Sequence, residues 1–272
     1  MSQQNGTVVS PAPNLAPPAS VPAFRFTPFL GIFSVVGGLG LWEAISHLIV
    51  GNSLFLASPS QTAVALYELA VSGELAHHAY VSGLEFFIGY AIASVLGISL
   101  GLLMAGSETA KRILQPWISG LYATPTIALG PLFILWFGIG IWSKIIVVII
   151  LVLFPVTINT EAGLRQTSPR LIEMLRSFGA SSRQVFFKVS LPSSMPFVLA
   201  GLRLGIGRGL IAVVVAELFG SRAGLGQLIN AASQSFNMPY LFAAVVVLAA
   251  TGITLTSVFS WLESKLVPWT KE

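Results

Sequence analysis

Two arginines stand where an apolar chain can least hold a charge. Arg203 and Arg208 lie in a run of Leu, Gly, Ile, Val and Ala that continues to Glu217. An ionisable group at such a depth costs free energy unless it faces a cavity or a partner. At ~1.5 Å per helical residue from Met195, Arg203 lies about 12 Å in and Arg208 about 20 Å in, so Arg208 is near mid-membrane while Arg203 can still snorkel inward. Five positions turn a helix by ~140°, so the two cannot both point at one cavity. The chemistry they offer is contact with an anionic solute on a pathway; the alternative is structural ion pairing or snorkelling. Glu217, near the outer end of the same run, is a third pathway candidate, although a structural ion pair is the better reading for it. The same holds for Glu85, for which Lys144 is a possible partner. Glu43 and His47, at i and i+4, can hydrogen-bond each other. His77 and His78 are adjacent, which suits metal chelation poorly, and a solvated or interfacial role is expected for all three histidines.

Catalysis finds little to work with. The chain has no Cys, and all ten acidic residues are Glu, which removes thiolate zinc sites, disulfides, aspartyl-phosphate chemistry and Asp-based magnesium sites. With His only at positions 47, 77 and 78 and no H-E-x-x-H, no catalytic constellation assembles. No G-x4-G-K-[ST] phosphate loop is present either, and Gly205-Ile206-Gly207-Arg208-Gly209 sits inside an apolar span rather than between a strand and a helix. The expectation is a non-catalytic chain with no metal site and no cofactor of its own.

The elements that position these residues follow from composition. Of 272 residues, 54% are hydrophobic and 9% charged, against roughly a quarter charged in a soluble domain. Apolar runs approach the ~20 residues that cross a bilayer. An all-α membrane protein of about six spans is expected, at 29–50, 83–106, 116–137, 143–160, 195–219 and 241–262. The fourth is short, and the third is interrupted by Pro125 and Pro131, which should place it inside the bundle rather than against lipid. Glycines at 97, 101, 201, 205, 207 and 209 permit close helix packing. Residues 1–28, with six prolines, read as a disordered tail and not a signal peptide; residues 29–265 form one transmembrane domain and 266–272 a second tail. With the N-terminus inside, ten Lys and Arg lie on the inner side and only Lys144 and Arg222 outside, a clear positive-inside bias. Both termini are then cytoplasmic, and the net charge of +4 reflects topology, not nucleic-acid binding. Outside, Val64, Leu66, Leu69 and Ala70 suggest an amphipathic surface helix within 51–82. The Gly220–Gly226 segment is either a gating turn or a plain connection.

The inner loop, 161–194, carries the most information. Leu171, Leu175 and Phe178 make one apolar stripe, with Arg170, Glu173 and Arg176 away from it, so a helix is expected from Pro169 to Phe178. Gly179 should end it as a C′ glycine. Ser181 or Ser182 can cap a second short helix, which Leu191-Pro192 should end. Such a cationic knob with exposed apolar residues suits docking into a partner's groove.

These residues resemble the cytoplasmic loop of permease subunits of ATP-binding-cassette importers, whose pattern is E-A-A-x3-G-x9-I-x-L-P. Glu173, Gly179, Val189, Leu191 and Pro192 occupy its positions, with Met174 and Leu175 for the alanines and Val189 for the isoleucine. Ala57-Ser58-Pro59-Ser60, Pro131-Leu132, Leu135-Trp136-Phe137-Gly138, Ser143-Lys144, Asn159-Thr160 and Ala223-Gly224-Leu225-Gly226 extend the resemblance over 55–265, towards the subgroup importing nitrate, sulfonates, taurine or bicarbonate. The resemblance implies a type I importer transmembrane domain in a bacterial inner membrane. It also implies a coupling loop of Glu173, Arg176, Phe178, Gly179, Ala180, Ser181, Val189, Leu191 and Pro192. The implied partners are two ATPase subunits that carry ATP and Mg, a second permease, expected to be an identical copy, and an extracytoplasmic solute-binding protein. A solitary ion-coupled transporter or channel is the competing reading. It would more naturally show mid-membrane carboxylates and paired repeats, and neither is seen.

Overall fold

The computed structural model describes residues 28–268, so the expected tail lies outside the described residues up to position 27, as do positions 269–272. Every element among the described residues is helical. The chain divides into two units, the first ending at Leu41 and the second beginning at Trp42. The first contains the start of α1 (Pro28–Ala44), which a π-helical turn, Ile45–Val50, prolongs into a 21-residue apolar stretch.

The second unit continues through α2 (Pro59–Val71), α3 (Glu74–Gly106), α4 (Glu108–Ala123), α5 (Gly130–Phe137), α6 (Ile141–Arg165), α7 (Pro169–Ser177), α8 (Ser182–Val185), α9 (Leu191–Leu218), α10 (Leu225–Gln234) and α11 (Met238–Leu266). Among the described residues, five helical stretches are long and apolar enough to cross a membrane: Leu30–Val50, Glu74–Gly106, Ile141–Arg165, Ser182–Leu218 and Met238–Leu266. The fourth predicted span, far from short, is the 25-residue α6.

The core is built around α6, more than half of whose apolar window is buried (56%), against 11% for α11. Two small-residue seams allow this. Gly89, Ala93, Gly97 and Gly101 recur every four residues on α3, and a Cβ at Gly97 would lie 2.9 Å from the Cβ of Val156 on α6. From α9, Gly201, Gly205 and Gly209 form the second seam, and a Cβ at Gly201 would lie 2.8 Å from that of Asn159. Both helices thus reach α6 at backbone distance, and Val148, Val152 and Val156 fill the space between. Gly207 belongs to neither seam, since nothing lies within 4 Å of a Cβ there.

The predicted third span differs most. It is a helix, a break and a helix: α4 ends at Ala123, Thr124 and Pro125 are extended or irregular, a 3-10 turn covers Thr126–Leu129, and α5 follows. The bundle does not enclose it, because Ile118, Gly130 and Phe133 are its only buried side-chain positions among the described residues. Enclosure is unnecessary here. Pro131 sits in the first turn of α5, where the missing amide has no partner to lose, and the carbonyl of Pro125 accepts from Ala128 at 2.8 Å.

Two further expectations shift. The outer helix exists as α2, but Thr62, Ala65 and Leu69 are buried while Val64 and Ala70 are exposed. Ala65 allows the closer approach, packing with Leu69 against Leu228, Ala243 and Ala244. The second helix of the inner loop does not end at Leu191-Pro192 but runs into α9. A π-helical turn, Phe186–Ser190, joins α8 to α9, with the Leu191 amide donating to the carbonyl of Phe186, five residues back, and Pro192 falls in α9's first turn.

Candidate functional site

At the end of the molecule predicted to face inward, α7 stands clear of the bundle. None of its residues is buried, and Leu171, Met174 and Phe178 are exposed, Phe178 at 82%. Its C-terminus closes in a Schellman motif: the Gly179 amide donates to the Arg176 carbonyl at 2.9 Å and the Ala180 amide to that of Leu175 at 3.0 Å. The motif needs a left-handed residue, and Gly179 has φ of +80°. The chain then enters α8 through a capping box, in which the Gln184 amide donates to Ser181 Oγ at 3.3 Å and the Ser181 amide to Gln184 Oε1 at 2.8 Å. Ser181, not Ser182, is therefore the cap. Glu173, Arg176, Phe178, Gly179 and Ser181 are exposed on this knob, and Ala180 is half-buried. Val189, Leu191 and Pro192 are half-buried on the rising helix behind it.

The two arginines of α9 have different surroundings. Arg203 Nη2 forms an ion pair with Glu263 Oε2 of α11, the structural alternative anticipated for it. Arg208 is exposed and, among the described residues, has no ion pair and no side-chain hydrogen bond. It lines a cavity of about 280 Å³ with Tyr122, Thr124, Pro125, Thr126, Leu151 and Phe154. The break in the predicted third span thus lines the same cavity as Arg208. Tyr122, Thr124 and Thr126 join Arg208 in this lining without having been singled out in the sequence. Pro125 was their signal, since a broken helix at membrane depth is tolerated beside a water-filled cavity.

Glu217 is fully buried, and its carboxylate is engaged inside the chain. It accepts from Ser82 Oγ and from the Gly226 amide, both at 2.6 Å. Glu85 and Lys144 are buried nearby, but the ion pair expected between them is not formed among the described residues; Lys144 Nζ donates instead to the Gly140 carbonyl at 3.0 Å. Glu43 accepts or shares a hydrogen bond with His47 at 2.9 Å and also accepts from Ser60. His78, expected to be solvated or interfacial, is instead structural, for its Nδ1 accepts from the Gly224 amide at 2.9 Å.

Residues 93–272 match the family model described as binding-protein-dependent transport system inner membrane component. The chain is 36% identical over 232 residues to the formylaminopyrimidine transport permease protein ThiX of Halalkalibacterium halodurans, covering 85% of this chain and 92% of that protein. It is 35% identical over 231 residues to the putative aliphatic sulfonates transport permease protein SsuC of Bacillus subtilis, covering 85% of this chain and 84% of the other. Among solved structures it resembles a chain of an amino acid ABC transporter, with a TM-score of 0.59 at 20% identity over 75% of this chain and 97% of that one. The inner-loop pattern, the unpartnered α7, the all-helical fold and these likenesses agree: the chain belongs to the binding-protein-dependent transport system inner membrane components, the membrane-embedded permeases of ABC importers.

Proposed function

We propose that this permease forms half of a translocation pathway for a small anionic solute and is driven by a separate ATPase that grips α7. The observation that carries the reading is α7 itself, an amphipathic helix with no buried residue, fixed at both ends by a proline start and a Schellman stop. A helix of nine residues has little stability alone, so its apolar face needs a groove to fill. Glu173, Arg176, Phe178, Gly179, Ala180 and Ser181 make the contact, and Val189, Leu191 and Pro192 anchor it to α9. ATP and Mg belong to the ATPase, present in two copies. A second, identical permease completes the pathway, and an extracytoplasmic binding protein delivers the solute. The chain sits in the bacterial inner membrane with both termini inside.

Arg208 supports the anionic class. An unpaired guanidinium beside a polar-edged cavity at mid-membrane favours a negative occupant. The relatives are named for different solutes, so the sulfonate, taurine or nitrate class rests on this residue and the subgroup resemblance together. Purification of the tagged chain in detergent from its native membrane tests the reading. Recovery of a P-loop ATPase, lost on replacing Glu173 or Gly179, is the expected result; recovery of the chain alone, with flux driven by an ion gradient in liposomes, would overturn it.

A further inference from the structure

The cavity wall and the ATPase-facing knob are joined at one charged corner. α6 ends at Arg165, and only Gln166, Thr167 and Ser168 separate it from α7. That connection is short and tied down: the Gln166 amide donates to the Ala162 carbonyl at 3.1 Å, the Thr167 amide to that of Leu164 at 3.3 Å, and Thr167 is buried. Displacement of α7 is therefore passed to the last turn of α6. There Arg165 spans two carboxylates, pairing through Nε with Glu161 on its own helix and donating through Nη2 to Glu108 of α4 at 2.9 Å. Lys111 of α4 returns the contact, with Nζ 2.9 Å from Glu161 Oε1. The two helices are thus cross-linked in both directions at the start of α4.

α4 has few other holds on the bundle. Its one buried side chain is Ile118, which packs with Met104 and Phe154. Beyond that contact, Tyr122, Ala123 and the break at Thr124–Thr126 form the wall facing Arg208. Leu114 packs beside Ile118 in the same patch, and the Tyr122 ring meets Phe154 edge-on with centroids 6.2 Å apart, so α4 is held by one apolar patch around Phe154 and one ion cluster, and can pivot about the first when the second moves. Phe154 belongs both to the Ile118 contact and to the cavity lining, which puts the pivot beside the cavity. Partial exposure suits a joint, since the side chains of Glu161, Lys111, Arg165 and Glu108 are 12%, 28%, 37% and 59% exposed. Such pairs are weak enough to rearrange and directional enough to transmit.

We propose that Arg165, held between Glu161 and Glu108, is a positioning residue that carries movement of α7 to α4 and so reshapes the Arg208 cavity. The inference rests on α7 being the ATPase-contacting element. Its test uses the full complex and needs no identified solute. Because the chain has no cysteine, spin labels at Ser119→Cys on α4 and Ser99→Cys on α3 report one distance, measured in the complex with a cysteine-free ATPase, without nucleotide and after trapping with Mg-ATP and vanadate. A third label at Ser177→Cys, paired with Ser99→Cys, reports α7. In the otherwise native chain both distances are expected to shift on trapping. Arg165→Gln should abolish the α4 shift and leave the α7 shift and ATPase recovery intact, and Arg165→Lys, which keeps charge but loses the fork, should reduce it. A purely structural staple predicts lower thermal stability with the α4 shift unchanged. An α4 shift that survives Arg165→Gln, or that is absent while α7 moves in the native chain, overturns the proposal. Failure to recover any ATPase with the native chain overturns the underlying reading of α7 instead and the joint with it. If Arg165→Gln does not insert, the Arg165→Lys distances decide, an undiminished shift counting against the joint.

Discussion

The carboxylate of Glu217 accepts a hydrogen bond from the amide of Gly226, nine residues further along the chain, at 2.6 Å. It completes a set. The Gly224 amide donates to His78 and the Leu225 amide to Ser82 Oγ at 2.8 Å, while Ser82 itself donates to Glu217. Three consecutive amides at the start of α10, which an isolated helix would leave to water, are thus taken by side chains of α3 and α9. The end of the Gly220–Gly226 segment, where it enters α10, is thus buttressed by these side chains.

Glu217→Ala should therefore destabilise the fold rather than alter solute selection. It orphans the Gly226 amide and the Ser82 hydroxyl in a buried place, at a cost of about 1–3 kcal/mol for each group left unpaired. Gly226→Ala should act similarly by overpacking, because its Cβ would lie 2.5 Å from the Val214 carbonyl oxygen. Melting in detergent, followed by size-exclusion recovery, measures both; unchanged midpoints would refute the buttress.

The glycines of the spans separate into two kinds. Gly101→Val should block assembly of α3 on α6, since even a Cβ there would lie 2.5 Å from Thr160 Cβ. Gly207→Ala should be neutral or stabilising by up to ~1 kcal/mol, the helix-propensity difference, because its surroundings are open. Membrane yield and melting midpoint of the two variants check the contrast, which fails if both behave alike.

That contrast shows where the sequence is legible. Glycine inside a span announces close packing but not which face meets a neighbour, so Gly207 and Gly205 look equivalent until α6 is in place. Local signals read well: Pro169, Gly179 and Ser181 define α7 and its exit through caps that depend on neighbours in the chain. The continuity of α8 into α9 was hidden because a proline reads as a stop, and only the π turn at Phe186–Ser190 shows how the backbone passes it. Arg203 and Arg208 differ through Glu263, sixty residues away from the first, a relation no spacing encodes. The burial of Glu217 likewise depends on Ser82, 135 positions earlier.

Replacing Gly179 by Val should abolish ATPase recovery while leaving membrane insertion intact. A β-branched residue at φ of +80° carries a penalty of about 1–2 kcal/mol, enough to unwind the last turn of a nine-residue helix and scatter Arg176 and Phe178. Asn tolerates the left-handed region better, so Gly179→Asn should retain part of the binding. Co-purification yields of the two variants decide; equal and normal recovery would remove α7 from the contact.

The inner corner should resist acid. The Arg165 hydrogen bond, followed by its charge, holds the Glu108 carboxyl below its ordinary value. A carboxylate with a lowered folded-state pKa contributes fully above its unfolded pKa and loses that contribution as pH falls through the folded one. The Arg165–Glu108 contact is thus expected to be insensitive to pH from neutrality down to the ordinary carboxylate range and to weaken only below it. Because Glu108 is exposed, raised salt should weaken it at neutral pH. The Ser119–Ser99 label distance against pH and salt tests this, and a transition near neutrality would contradict it.

Arg203 and Arg208 should separate stability from transport. Removing Arg203 leaves Glu263 on α11 without its partner, so Arg203→Ala should lower the melting midpoint. Arg208 has no partner among the described residues, and Arg208→Ala removes a charge the fold does not use. Its melting midpoint should be unchanged or higher, while ATPase stimulation by anions should fall at least tenfold, the loss of about 1.4 kcal/mol. Arg208→Lys, with the charge but not the planar fork, should fall between. Taurine, ethanesulfonate and nitrate, presented to the reconstituted complex with its binding protein, serve as the probes. If Arg208→Ala melts lower and is stimulated normally, the guanidinium is structural and the anionic pathway must be sought elsewhere.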